Sequence, residues 1–180
     1  MHMPPQFHGR LITRRTVAPL PDIMGLAGAL AGLGGGLAMT LIGALLTQAL
    51  DQDHWLQLKL IASVVLGPAV AAQLGFVAGP IIIGALIQLG LAALLGSIFE
   101  LLMRRIARRP SAYGLAEVAG LAYGLLIWLV AFFVVIPMLI PLLRQIYEPA
   151  LIIQHLVYGA VTGLLYSMLR PQPYSRGRSQ

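Results

Sequence analysis

Cysteine is absent from the 180 residues, which excludes disulfides, thiolate metal sites, iron–sulfur clusters and cysteine nucleophiles. Charge is scarce as well. Asp, Glu, Lys and Arg make up 10% of the chain, against roughly 25% in ordinary soluble domains, too few to cover a water-facing surface. Catalytic signatures are also missing: there is no H-E-x-x-H, G-x-S-x-G, paired-Asp motif or P-loop, so no catalytic residue, cofactor or metal site is expected. What the chain has instead is apolar bulk. It is 58% hydrophobic with a mean hydropathy of +0.85, and several runs exceed the roughly 18 residues that mark a transmembrane helix.

The expected fold is all-α: a polytopic membrane protein with four transmembrane helices, arranged as two hairpins, plus one interfacial or re-entrant helix. A polar tail covers residues 1–22, a single transmembrane domain residues 23–169, and a second polar tail residues 170–180. The spans fall at about 23–47, 80–103, 112–136 and 150–169, and the extra apolar helix at about 54–76, interrupted at Gly67–Pro68. Asp51 and Asp53 precede that helix, placed to cap its start and favour its dipole, and Trp55 suits headgroup depth.

Basic residues set the orientation, because cytoplasmic loops carry the excess of Lys and Arg. If residues 54–76 do not cross, ten basic residues lie inside (Arg10, Arg14, Arg15, Arg104, Arg105, Arg108, Arg109, Arg170, Arg176 and Arg178). Only Lys59 and Arg144 then lie outside. If the segment crosses, the split becomes eight outside and four inside. Four spans with both termini cytoplasmic is therefore expected. The net charge of +6 reports orientation, and no nucleic-acid partner is implied.

Glycine recurs every four residues at Gly28, Gly32 and Gly36, a row that Thr40, Ala44 and Gln48 continue. Gly96 on the second span, Gly120 and Gly124 on the third, and Gly159 and Gly163 on the fourth extend the pattern. In lipid such small residues let helix backbones approach, so that dispersion and hydrogen bonds drive association. A glycine-rich cofactor loop would need a strand before it and a helix after it, and neither context exists. "LAGLGGG" (30–36) is similar to "VAGLAYG" (118–124) at an offset of 88. Gln88, Ala92 and Gly96 match His155, Gly159 and Gly163 at an offset of 67. The offsets differ by 21 residues, about the length of the extra helix. Two parallel hairpins related by an axis along the membrane normal, the first carrying an insertion, would produce this.

Ionisable and polar residues inside spans are functional candidates by default. They are Gln88, Glu100, Glu117, His155 and Tyr158, with Gln48 and Gln154 as polar company. Glu100 precedes Arg104 by four residues, which offers an ion pair. Glu117 lies near the start of the third span, where it favours the helix dipole and can reach an arginine of "RRIARR". His155 beside Gly159 has room for a flat pigment or haem. A membrane haem usually takes two axial ligands, and no second histidine lies in any span, so a hydrogen bond to a neighbouring helix is expected. Gln88 and His155, at similar depth, are expected to approach one another near the axis.

"DHWLQLKLIASVVLG" (53–67), with Asp53, Trp55 and Lys59 in a D-x-W-x-x-x-K-x-I-A core, resembles a motif in small bacterial inner-membrane proteins of the YagU-like kind. "HLVYGAVTGLLY" (155–166) looks like the last span of such proteins. The resemblance implies a multi-pass protein of the bacterial inner (plasma) membrane and no established activity. Two functions are in view. One is a non-enzymatic accessory subunit or small homo-oligomer that acts by helix packing, with lipid and other membrane subunits or itself as partners. The other is a small transporter or channel with a polar path through the bundle.

Overall fold

The computed structural model describes residues 23–106, 114–145 and 148–169. The flanking tails and the Arg108–Arg109 turn expected on the cytoplasmic side lie outside the described residues. Among those described there is no strand. Helix α1 covers Leu26–Ala49, α2 Leu56–Leu66, α3 Ala78–Ile106, α4 Leu115–Leu139 and α5 Glu148–Leu169. Four of these are long and apolar enough to cross a bilayer, with 22 to 29 residues. At 1.5 Å per residue they reach roughly 33–44 Å, beyond the roughly 30 Å of a hydrocarbon core.

The fifth apolar segment is shorter than its run of hydrophobic residues suggests. α2 stops after 11 residues because Gly67 adopts a left-handed φ of 86°, which glycine tolerates and other residues resist. Pro68 then opens a single tight turn to Ala72. α4 also departs from regularity. Its turn at 131–135 widens to a π-helix just before Pro137, which has no N–H to give to the carbonyl four residues earlier.

α1 packs against both α3 and α5, and α5 packs against α4, whereas α3 and α4 barely meet. The glycines explain the tight contacts. A Cβ added at Gly32 would strike the Ala92 carbonyl and lie 2.8 Å from the Gly96 Cα. A Cβ added at Gly120 would strike the Gly159 carbonyl and lie 2.9 Å from the Gly163 Cα. Under the offsets of 88 and 67, these are the same contact made twice. Gly28 and Gly36 press on Gly96 and Ala92, and Gly124 on His155 and Gly159, to complete the two seams.

Phe99 and Tyr166, which are also equivalent under the offset of 67, meet edge-to-face with centroids 5.6 Å apart. The two-fold relation therefore passes between α3 and α5. It breaks at one pair. Gly35 on α1 lets Tyr158 and Thr162 of α5 come close, so that a Cβ there would lie 2.8 Å from the Tyr158 carbonyl. Its counterpart on α4 is Tyr123, whose hydroxyl donates to the Leu95 carbonyl of α3 at 2.8 Å. A glycine closes one side of the bundle, and a tyrosine holds the other side open.

A candidate polar site under the short helix

Residues 53–76 form a loop that closes on itself. The Asp53 carboxylate accepts from the Trp55 N–H at 2.9 Å, from the Gly75 N–H at 3.1 Å and from Lys59 at 2.5 Å. The Lys59 ammonium, fully buried, also donates to the Gln73 and Gly75 carbonyls. Trp55 meets Phe76 edge-on at 5.3 Å. Burial by itself raises the Asp53 carboxyl. The hydrogen bonds from Lys59 and from the Trp55 and Gly75 amides, with the lysine charge, outweigh it and hold the group below its ordinary 3.8. Asp51, expected to share the capping, instead takes a left-handed backbone (φ 53) and stays exposed.

Once closed, the loop drives the start of α2 back along the bundle. The Leu58 carbonyl lies against Gly84 of α3, where any Cβ would collide with it. Leu60 packs with Ile136, Leu143 and Leu151. Gln57 reaches Gly43, six residues before the end of α1, or about 9 Å along its axis. A Cβ at Gly43 would stand 2.5 Å from Gln57 Oε1 and 2.9 Å from Gln154 Oε1. Gln154 is fully enclosed, and neither its Oε1 nor its Nε2 has a partner among the described residues. Thr47, also fully buried, donates to the Gly43 and Ala44 carbonyls at 2.9 and 3.0 Å. The Gln52 N–H donates to the Thr47 carbonyl at 2.9 Å, and Gln52 Oε1 is buried without a partner. The carboxamides of Gln57 and Gln154 and the Thr47 hydroxyl thus gather around Gly43.

Along the bundle, the other polar candidates divide by partner. Gln88 donates to Thr40 of α1 at 2.7 Å, and its Oε1 is buried and unpartnered. His155 Nδ1 lies 2.7 Å from the Leu151 carbonyl, one turn back on its own helix. A carbonyl can only accept, so Nδ1 carries a proton. Gln88 and His155 therefore do not bond to each other, and the histidine does not bond across helices. Tyr158, nearly buried, donates to the Ala92 carbonyl at 2.9 Å and so ties α5 to α3.

At the far end, Glu100 is fully buried and bridges two tasks. One oxygen accepts from the Gly28 N–H of α1 at 2.6 Å, and the other pairs with Arg104 at 2.7 Å. First-turn amides lack intrahelical partners, so a carboxylate supplied by α3 caps α1 at the positive end of its dipole. Glu117 accepts from Ser167 of α5 at 2.8 Å, and its second oxygen is buried without a partner. The two carboxylates serve different helix pairs. Among the described residues no group of three His, Cys, Asp or Glu is placed to hold a metal.

Gln48 is exposed, and burial on α1 runs through Gly43 and Thr47 in its place. A strict four-residue step drifts about 40° around the helix each time, so after three steps the row leaves the interface. A mixed three-and-four spacing from Gly36 through Thr40, Gly43 and Thr47 would have found the buried face. Gln52 and Gln57 carried no such signal, because their placement depends on how the loop closes.

Comparison of the chain with family models, with curated proteins and with solved structures gives no match.

Proposed function

We propose that this chain is a non-catalytic, multi-pass protein of a bacterial inner membrane that passes a small polar solute through its bundle. Both termini and residues 104–110 face the cytoplasm on this reading, as the ten-to-two split of basic residues supports. The short helix then covers the outer end. The observation that carries the reading is Gln154. Its carboxamide is fully enclosed with both polar atoms unpartnered among the described residues. An unpaired amide away from water costs on the order of 2–7 kcal/mol. A bundle that needed only to pack would be better served by leucine at this position.

The YagU-like resemblance of the Asp53–Trp55–Lys59 segment supports the inner-membrane placement and leaves the activity open. Action through packing with further subunits draws less support from the geometry. Both glycine seams are occupied inside the chain, so they offer no face to a second protein.

The test is solute flux in liposomes containing the purified chain, with Gln154→Met as the comparison. The expected result is passage of at least one small polar solute above protein-free vesicles, reduced tenfold or more in the variant. Removal of the unpartnered amide should leave the variant at least as heat-stable as the parent. Absence of flux across a panel of polar solutes would overturn the reading.

A further inference from the structure

We infer that the tip of the short helix, residues 64–69, is seated among the lipid acyl chains of the leaflet at the α2 end, so that α2 and the turn after it form a re-entrant wedge. This seating is independent of the transport reading and of which end of the bundle is cytoplasmic.

Depth is fixed by what the two arms of the loop touch. The Leu58 carbonyl lies against Gly84, six residues inside α3, or about 9 Å from the helix end. With 29 residues, α3 is about 44 Å long and, when centred, overhangs a hydrocarbon core of roughly 30 Å by about 7 Å at each end. The crossing at Gly84 thus falls about 2 Å inside the hydrocarbon boundary. Leu60, two residues further on, packs with Leu151, three residues from the start of α5. The returning arm packs on the same cluster through Ala71. Both arms are therefore held at the boundary, inside the ends of the long helices.

The tip between those arms has the chemistry of a lipid-facing surface. Val64, Val65 and Leu66 are exposed, and Pro68 and Ala69 follow them uncovered. From Leu60 to Phe99 the chain holds no Asp, Glu, Lys or Arg, so no charge draws the tip into water. The adjoining polar side chain, Ser63, donates to the Leu60 carbonyl at 2.6 Å, which turns its hydroxyl back on its own helix. At the bend, the Gly67 N–H donates to the Ser63 carbonyl at 2.9 Å. Pro68 has no N–H to satisfy, which lowers the cost of placing the bend beside hydrocarbon. Interfacial segments sink about 5–10 Å into the boundary between headgroups and chains, enough to cover the tip. A second copy of the chain fits less well, because a stable protein interface takes roughly 20–30 residues a side. The ionic tie marks the other end of the loop: Asp53 and Lys59 bond to Gln73 and Gly75 and keep Leu74 at headgroup level, within reach of water.

The experiment uses the absence of native cysteine to place one bimane label on the full chain in phosphatidylcholine nanodiscs, whose two faces are both open to added iodide. Val65→Cys and Ala69→Cys probe the tip, and each variant is first checked for the melting temperature of the parent. Part of the lipid carries a nitroxide near the top of its acyl chain. Bimane at 65 and at 69 should be quenched several-fold more strongly by the nitroxide than by iodide. Leu74→Cys supplies the aqueous reference, with the order reversed. Leu86→Cys, exposed on α3 about 12 Å from its end, supplies the lipid reference. Iodide quenching at the tip equal to that at 74 would overturn the inference and place the tip in water. Protection of the tip from both quenchers would overturn it in favour of a second copy.

Discussion

Lys59 illustrates what a single residue can do when its burial is complete. A lysine ammonium with no exposed surface needs its donors filled, and Asp53, Gln73 and Gly75 supply the acceptors. This ties the start of α2 to the strand of chain that returns to α3. The Asp53 carboxyl, held below its ordinary 3.8, makes the tie pH-dependent with a definite sign. A depressed carboxyl contributes stability in full above its unfolded value of about 3.9 and loses it as pH falls through the lower folded value. The loop should therefore stay closed at neutral pH and through pH 5, and open only below the ordinary carboxylate range. Trp55 fluorescence in a Trp128→Phe background reports this, since Trp55 is packed on Phe76 when the loop is closed. The expected midpoint lies below 3.8, and Asp53→Asn should show the open-loop signal already at pH 7. A midpoint at or above pH 4.5 would contradict the assignment.

Helix pairs, rather than single helices, are the units of the bundle. α1 with α3 and α4 with α5 repeat one seam, in which glycine faces glycine and the backbone carbonyls approach without side chains between them. The surrounding lipid is as apolar as leucine, so contact of this closeness is the main attraction available. Gly120→Leu should force α4 from α5 against a rigid backbone and cost about 1–3 kcal/mol or more, as overpacking does. Gly32→Leu should do the same to α1 and α3. Gly90→Leu provides the control, because a side chain there meets nothing within 4 Å. Melting temperatures in one detergent should fall for the first two and stay within a few degrees of the parent for the third. Equal effects at all three positions would show that the seams carry no special weight. The same scale accounts for the break in symmetry. Gly35 and Tyr123 occupy equivalent positions, and only the tyrosine keeps its helix away from the neighbour.

At the scale of the whole molecule, polar groups sort by end. The glutamine cluster and the Asp53–Lys59 tie lie at the α2 end, and Glu100, Arg104 and Glu117 at the other. The proposed orientation puts the first end outside and the second in the cytoplasm. The absence of cysteine allows a clean test with introduced thiols. In inverted and right-side-out vesicles, Leu74→Cys, at a site that is 89% exposed, should label only from the periplasmic side. Arg108→Cys should label only from the cytoplasmic side. The opposite pattern would mean that the bundle is reversed or that residues 54–76 cross, and labelling of both from one side would mean that α3 does not span.

The amino-acid sequence by itself determined the membrane class, the four long helices and the glycine rows. Each depends on short-range pattern: about 20 apolar residues make a span whatever they contact, and a four-residue step places small side chains on one helix face. It also held the repeat, since matched offsets are visible without coordinates. Partners across the bundle were decided only by the tertiary structure. Glu100 was legible as the mate of Arg104, four residues on, but its bond to Gly28 spans 72 residues. His155 and Gln88 matched in sequence, yet one bonds a carbonyl of its own helix and the other a threonine of α1. The site at Gly43 was the least legible of all. It exists only because a loop closed by Asp53 and Lys59 turns Gln57 back towards a glutamine nearly a hundred residues later, and no local pattern encodes where a closed loop will point.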